Sequence, residues 1–370
     1  MRNFRVSGGH MIGVELRRVG WFMSPGAYFV VDGQFGSTGK GALAAVLAAS
    51  GLGNISLFTT NAGPNSGHTA VIGPRDHSLT IVTKQLPVGA CVTRAAGQVS
   101  NVLMNAGAIL DLNTLYYEMN KYDVHDVVVH PCAAVVLPKH VEQETSNGAA
   151  RVAGTGKGTG AALADKVNRE GNIAKFHVEP ERLSTSFMNA STFNMAAACK
   201  EHVVMVETPQ GFSLGLNEPR FAPHTTSREC SVLQAMSDAR IPVSARRKVA
   251  MSVRTFPIRV GNTSIGESGD CYPDQHEITW EELGVQPELT TVTKRVRRVF
   301  TWSDEQFVEA LLVNEPDLLF VSFMDYLPEN ERAPFLERVI NLYEAVMGKR
   351  LEALLCGYGP HIDDVVIYTW

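Results

Sequence analysis

The chain has 370 residues, 45% of them hydrophobic and 19% charged, and its 33 basic and 38 acidic side chains leave a net charge of −5. That balance excludes a disordered or fibrous chain, and the acidic excess argues against direct nucleic-acid binding. Six cysteines (Cys91, Cys132, Cys199, Cys230, Cys271, Cys356) stand far apart with no C-x-x-C pair, which predicts free thiols in a reducing cytoplasm.

Residues 1–27 carry Arg2, Arg5, Arg17 and Arg18 without a sustained apolar run. They make a poor signal peptide and read as a ragged, poorly ordered extension, with Met11 and Met23 as alternative starts. Residues 28–31 (YFVV) predict a buried strand ending at Asp32. A glycine loop, 33–41 (GQFGSTGKG), then leads into strong helix formers at 42–49. Strands are expected at 54–59, 78–83 and 126–129, with a helix at 108–119 between the last two. Residues 41–74 lack charge, but glycine, proline and asparagine interrupt them too often for a membrane span. A second glycine loop, 154–160 (GTGKGTG), leads into a polar helix or loop through Asp165, Lys166 and Arg169. A helix is expected at 187–199, strands at 202–206, 249–253 and 318–322, a helical pattern broken by Gly348 at 332–355, and a last strand at 365–368. Strands alternating with helices predict an α/β fold, a large mostly parallel sheet covered on both faces, with 28–370 as a single domain.

Strand, glycine loop and helix is the layout of a phosphate-binding unit. Glycines let backbone N–H groups approach an anion, the helix start adds partial positive charge, and Lys40 brings an ammonium. It is not a Walker A loop: five residues separate Gly33 from Gly39, and Gly41 follows the lysine where Ser or Thr is required. The less favoured reading of the loop alone is a tight αβ connection that binds nothing. His68 in isolation is more often an exposed or structural loop histidine than a catalytic one. The run Lys294, Arg295, Arg297, Arg298 is a solvated loop or, with Thr290, Thr291 and Thr293 before it, a dicarboxylate or phosphate site.

Taken in order, these pieces resemble adenylosuccinate synthetase. That family opens with G-Q-W-G-D-E-G-K-G, against residues 33–41 here. Its N-x-G-H-T matches Asn65 to Thr69, its second glycine loop and D-K-x-x-R match Thr155 to Gly160 and Asp165, Lys166, Arg169, and its E-x-x-Q-G matches Glu207, Gln210, Gly211. Its later threonine matches Thr225, its R-V-G matches Arg259 to Gly261, and its aspartate loop is similar to Thr290 to Arg298. The resemblance implies an adenylosuccinate synthetase-like fold and an ATP- or GTP-driven C–N ligase. It implies catalytic roles for Ser37, His68, Lys40 and Gln210. Asn65, Ser66, Thr155, Arg169, Gln210 and Thr225 would hold the nucleoside monophosphate, Arg169 acting from the neighbouring subunit of a homodimer. Gly36, Thr38, Gly39, Lys40, Gly41, Thr69, Arg297, Asp325, Gly357, Gly359 and Pro360 would hold the triphosphate. Thr291, Thr293, Arg295 and Arg297 would bind aspartate, and Ser37 and the Gly67 carbonyl would meet Mg²⁺.

Two departures redirect the expected substrates. The family's loop aspartate, which takes the purine ring proton, is Ser37 here, and its neighbouring glutamate is Thr38. The K-x-D that reads guanine of GTP is Phe323-Met324-Asp325. The same loop replacement marks a bacteriophage branch of the family that joins aspartate to carbon six of dGMP, using ATP or dATP, toward 2-aminoadenine for DNA. The resemblance to that branch implies dGMP, L-aspartate and ATP or dATP as substrates, GTP being disfavoured, and host cytoplasm as the location. A smaller Ser37 leaves room for the 2-amino group. Water, Ser37 as a relay, or the substrate itself would receive the ring proton. The alternatives are an ordinary adenylosuccinate synthetase acting on IMP with GTP, and a nucleotide-binding protein without catalysis.

Overall fold

Apolar runs buried on both sides dictate the centre of the molecule. In the computed structural model, which describes residues 5–9, 11–146, 152–178, 194–264, 266–290 and 294–369, they assemble into one ten-stranded sheet. Its strands in chain order are β1 (Arg5–Gly8), β2 (Gly26–Asp32), β3 (Ile55–Thr60), β4 (Val102–Met104), β5 (Val127–Val129), β6 (Val203–Glu207), β7 (Arg247–Arg254), β8 (Leu318–Ser322), β9 (Ala353–Gly357) and β10 (Val365–Thr369). Across the sheet they run β1-β10-β9-β8-β7-β2-β6-β3-β4-β5. Every neighbour pair from β9 to β5 is parallel, whereas β10 is antiparallel to both β9 and β1. The α/β, mostly parallel expectation therefore holds.

β2 shows why such strands read as continuous hydrophobic runs. Ala27, Phe29 and Val31 enter the core on one face, and Tyr28 and Val30 enter the core on the other. The helix Lys40–Ser50 covers the second face with Leu43, Ala44 and Leu47, and the long helix Glu329–Met347 covers the first with Leu336, Val339 and Tyr343.

Residues 11–27 are not the ragged extension expected. Met11–Arg18 is a helix packed on Lys40–Ser50, and Ile12, Leu16, Trp21 and Phe22 are buried in the same core as Tyr28. The rings of Trp21, Phe22 and Tyr28 meet at 4.8 to 5.7 Å between centroids. The overlooked signal is Ile12 and Leu16 at helical spacing followed by two aromatics.

Other boundaries moved for local reasons. The helix expected at 108–119 starts at Leu112, because the Asp111 side chain accepts from the amides of Asn113 and Thr114; residues 109–110 instead pair with Ala134–Val135. His68 does not lie in a loop: it opens the strand His68–Ile72, a hairpin with Leu79–Thr83. The pattern at 332–355 divides at Gly348, left-handed at φ 62°, with β9 beyond it. Of the helix expected at 187–199, residues 187–193 lie outside the described residues, and Met195–Glu201 is helical. Among the described residues, no helix is long and apolar enough to cross a membrane.

Candidate active site

Six adjacent parallel strands, β9, β8, β7, β2, β6 and β3, end on the same side of the sheet. Loops leaving their carboxyl ends line one cavity, the position where open α/β sheets bind ligands.

The first loop is built around the last residue of β2. Asp32 is buried, and its Oδ1 accepts from the amides of Gln34 (2.8 Å) and Gly36 (3.2 Å). Its Oδ2 accepts from the Thr38 hydroxyl (2.5 Å) and from Lys40 Nζ (2.8 Å), and Lys40 also donates to the Gln210 carbonyl at 2.6 Å. The inner amides thus close on the chain's own carboxylate as a nest closes on an anion, and Lys40 is held at the cavity wall with its charge balanced. Ser37 is left-handed at φ 54°, which a serine adopts only when its surroundings enforce it, and it is exposed toward the cavity.

Two glycines show how closely the loops pack. A Cβ at Gly41 would strike the Thr69 backbone, so the Ser or Thr of a Walker A loop has no room here. A Cβ at Gly211 would strike the Gly36 amide and the Phe35 carbonyl carbon, so the segment after β6 crosses the first loop backbone to backbone. Gln210, just before it, is left-handed at φ 66°.

The cavity has two connected chambers of about 570 and 550 Å³ that share Phe35, Asn65, Thr155, Gln210, Leu214 and Arg297. Gly36, Ser37, Gly39, Lys40, Gly41, Ser66, Gly67, His68, Thr69, Asp325, Gly357, Gly359 and Pro360 line the first chamber. Thr225 lines the second. Most residues singled out from the sequence are therefore together.

Three fall elsewhere. Thr38 is fully buried, bonded to Asp32 and 2.5 Å from Ser252 Oγ, so its side chain points into the core rather than the cavity. Arg169 is exposed, away from both chambers, in a left-handed turn after the helix Thr159–Val167. Arg295 lies behind the wall, its guanidinium donating to the Ala153 carbonyl at 2.9 Å. Thr291 and Thr293 lie outside the described residues.

The acidic motif residues are structural. Glu144 accepts from the amides of Gly158 (2.7 Å) and Gly160 (2.6 Å), so the second glycine loop also folds around a carboxylate. Asp165 is held by His140 and Asn172, both at 2.7 Å, and by Lys139 at 2.6 Å. Glu207 accepts from the first amides of the helix Val88–Ala95, at 2.9 and 2.8 Å; burial nonetheless pushes its carboxyl up to about 7.

Among cavity groups, burial and then the Lys40 charge push the His68 imidazole down to about 3, so it is neutral at pH 7. Burial also lowers Arg297 to about 10, against the pull of Glu288.

Sequence reasoning missed Asp32, Arg254 and Glu288, and gave Arg259 only a place in a motif. Arg259 stacks over Phe35 (4.5 Å) and Phe221 (4.9 Å) and donates to the carbonyls of His224 (2.9 Å) and Ser268, fixing the segment beside Thr225. Asp32 and Arg254 share a readable sign: each is a charge that follows the mainly apolar buried stretch of a parallel strand, 27–31 and 249–253.

This sheet, with glycine loops and an arginine segment converging on a two-chambered cavity, is that of a nucleotide-activating ligase, and the chain belongs to the adenylosuccinate synthetase family. The sequence model of that family matches residues 29–194. The chain is 36% identical over 366 residues to the N6-succino-2-amino-2'-deoxyadenylate synthase of Salmonella phage PMBT28, covering 92% of this chain and 96% of the relative. It is 30% identical over 307 residues to the adenylosuccinate synthetase of Thermococcus onnurineus strain NA1, covering 81% and 84%. Among solved structures it resembles the succinoaminodeoxyadenylate synthetase of cyanophage S-2L bound to dGMP and dATP as an energy donor, with a TM-score of 0.79, 31% identity, and 92% and 95% of the two chains covered.

Proposed function

We propose that the chain joins L-aspartate to carbon six of dGMP, using ATP or dATP, and releases N6-succino-2-amino-2'-deoxyadenylate, the nucleoside diphosphate and phosphate. The observation that carries this reading is Ser37. It opens into the cavity where the ordinary family has an acid, while the loop's own carboxylate, Asp32, is buried and engaged by four donors. Full-length similarity to the phage enzymes and to the dGMP- and dATP-bound cyanophage structure supports it.

In this reading oxygen six of guanine attacks the γ-phosphorus, the diphosphate leaves, and the aspartate amine then displaces phosphate from carbon six. Lys40 places its ammonium on the transferring phosphoryl group, and neutral His68 offers an N–H to oxygen six and its departing phosphate. Ser37 accepts from the 2-amino group. Asn65, Ser66, Thr155, Gln210 and Thr225 hold dGMP, and the backbone from Gly39 to Gly41, with Thr69, Asp325 and the Gly357–Pro360 turn, holds the donor. Arg297 opens to both chambers and serves the aspartate carboxylates, while Arg295 braces the wall behind it through the Ala153 carbonyl. Thr38 contributes only through its backbone. Arg169, remote from its own cavity, completes the site of a partner copy in a homodimer.

Ser37 and Gly67 both open to the cavity and bring only neutral oxygens, and no cluster of three acidic, histidine or cysteine ligands occurs among the described residues. This set fits Mg²⁺ carried in on the triphosphate, which the Ser37 hydroxyl and the Gly67 carbonyl would help to hold. Bound there, it would supply positive charge against the γ-phosphoryl.

The test is turnover of dGMP against IMP by the purified protein with aspartate and ATP. dGMP turnover with little from IMP is expected; IMP turnover without dGMP rejects the proposal. Ser37→Asp should lower kcat/KM for dGMP by about tenfold or more and raise that for IMP, because the longer carboxylate crowds the 2-amino group. Aspartate tolerates a left-handed backbone, so the change reports chemistry rather than folding.

A further inference from the structure

Arg254 ends β7 beneath the cavity, fully buried, and is not one of the cavity-lining residues. Its backbone is clamped to the first loop: Arg254 N donates to Gln34 Oε1 at 2.9 Å, and Gln34 Nε2 donates to the Arg254 carbonyl at 3.1 Å. Its guanidinium reaches three segments at once. Nη1 donates to the Ser37 carbonyl at 3.1 Å, the residue forced into a left-handed turn. Nη1 and Nη2 grip the Glu288 carboxylate at 3.2 and 2.5 Å, and the Glu288 carbonyl in turn accepts the Arg297 amide at 2.9 Å. The guanidinium carbon lies over the Phe323 ring, 3.8 Å from its centroid, and Tyr326 donates to the same Glu288 carboxylate at 3.1 Å. Ser37, Glu288, Arg297 and Phe323 all line the cavity.

We propose that Arg254 is a positioning residue that sets the Ser37 turn, the arginine loop and the Phe323 segment in one geometry, so that the purine, aspartate and donor sites form together. The inference rests on the synthetase reading above. A buried ion pair is weak evidence for stability, since two desolvated charges recover little more than they lose. Here the Arg254 Nε is also buried without a partner, a cost that an apolar strand end would avoid. What a planar fork offers instead is fixed direction: it bonds in its plane to a carboxylate and a carbonyl while stacking its face on an aromatic ring. Lysine keeps the charge but can do neither bidentate pairing nor planar stacking.

The experiment is steady-state kinetics of wild type, Arg254→Lys, Arg254→Met and Glu288→Gln with dGMP, IMP, aspartate and ATP. Arg254→Met is expected to raise the KM of aspartate and of ATP together by about tenfold and to shrink the dGMP-over-IMP ratio of kcat/KM, with Arg254→Lys restoring part of each. Unchanged KM values and an unchanged ratio in Arg254→Met overturn the inference, as does a fall in active protein alone. If Arg254→Met does not fold, Glu288→Gln, whose carboxyl is partly exposed, carries the same expectation and the same refutation. A wild type that fails on dGMP sinks the substrate assignment only. Titration with ATP then decides this inference: weaker binding by Arg254→Lys than by wild type sustains it, and equal binding ends it.

Discussion

The His68 imidazole is uncharged in the free protein because burial and the nearby Lys40 ammonium both oppose its proton. A nucleotide triphosphate seated on Lys40 would cancel the second cause. In an NMR titration the free protein should show His68 protonating near pH 3, and ATP should raise that midpoint; a midpoint near 6.5 in the free protein, or none moved by ATP, contradicts the arrangement. The sign for stability follows. Below pH 6.5 the unfolded chain binds a proton that the folded chain refuses, so stability falls as pH drops from 6.5 toward 3, and His68→Gln should flatten that part of the curve. At this scale the sequence was readable where a role is local: Lys40 and Gly41 adjoin a helix start, and Ser37 sits between glycines. It was unreadable where the partner is distant. Arg254 meets Glu288, Ser37 and Phe323, none of them within thirty residues of it, and nothing in its own neighbourhood announces that.

Elements were legible in proportion to how thoroughly they are buried. Residues 28–31, 202–206 and 318–322 read as strands because both faces of β2, β6 and β8 need apolar side chains. The three-residue β4 is too short to show a period, and the hairpin strand His68–Ile72 mixes exposed and buried positions around a polar start. Its register matters, since it places His68 opposite Thr83 and lays the Thr69 backbone against Gly41. The crossing of the first loop by the segment after β6 is a similar backbone contact, and it supplies an element-scale prediction. Gly211→Ala would force that segment away from Gly36, costing about 1–3 kcal/mol by overpacking and displacing Gln210 from the wall shared by the two chambers. Thermal unfolding and kcat/KM should fall together; a fully active, equally stable variant would show that the loops part easily.

For the whole molecule, the proposal that Arg169 of a second copy reaches the dGMP phosphate predicts complementation between two inactive variants. Arg169→Ala and His68→Asn variants should each be nearly inactive. Mixed after dissociation, they should recover about a quarter of the wild-type rate per site, because random pairing makes half the dimers mixed and each mixed dimer rebuilds one of two sites. No recovery on mixing would place Arg169 outside the reaction. The mostly parallel sheet followed from alternating strands and helices. The N-terminal edge did not, because a four-residue strand draws its identity from the far end of the chain.

That edge has a further consequence. Arg5 lies opposite Thr369 in the pairing of β1 with β10, so β1 covers the side of β10 that does not face β9. Without β1 that side would present unpaired backbone donors and acceptors, a template on which another chain could add a strand, so this short segment guards the sheet against edge-to-edge association.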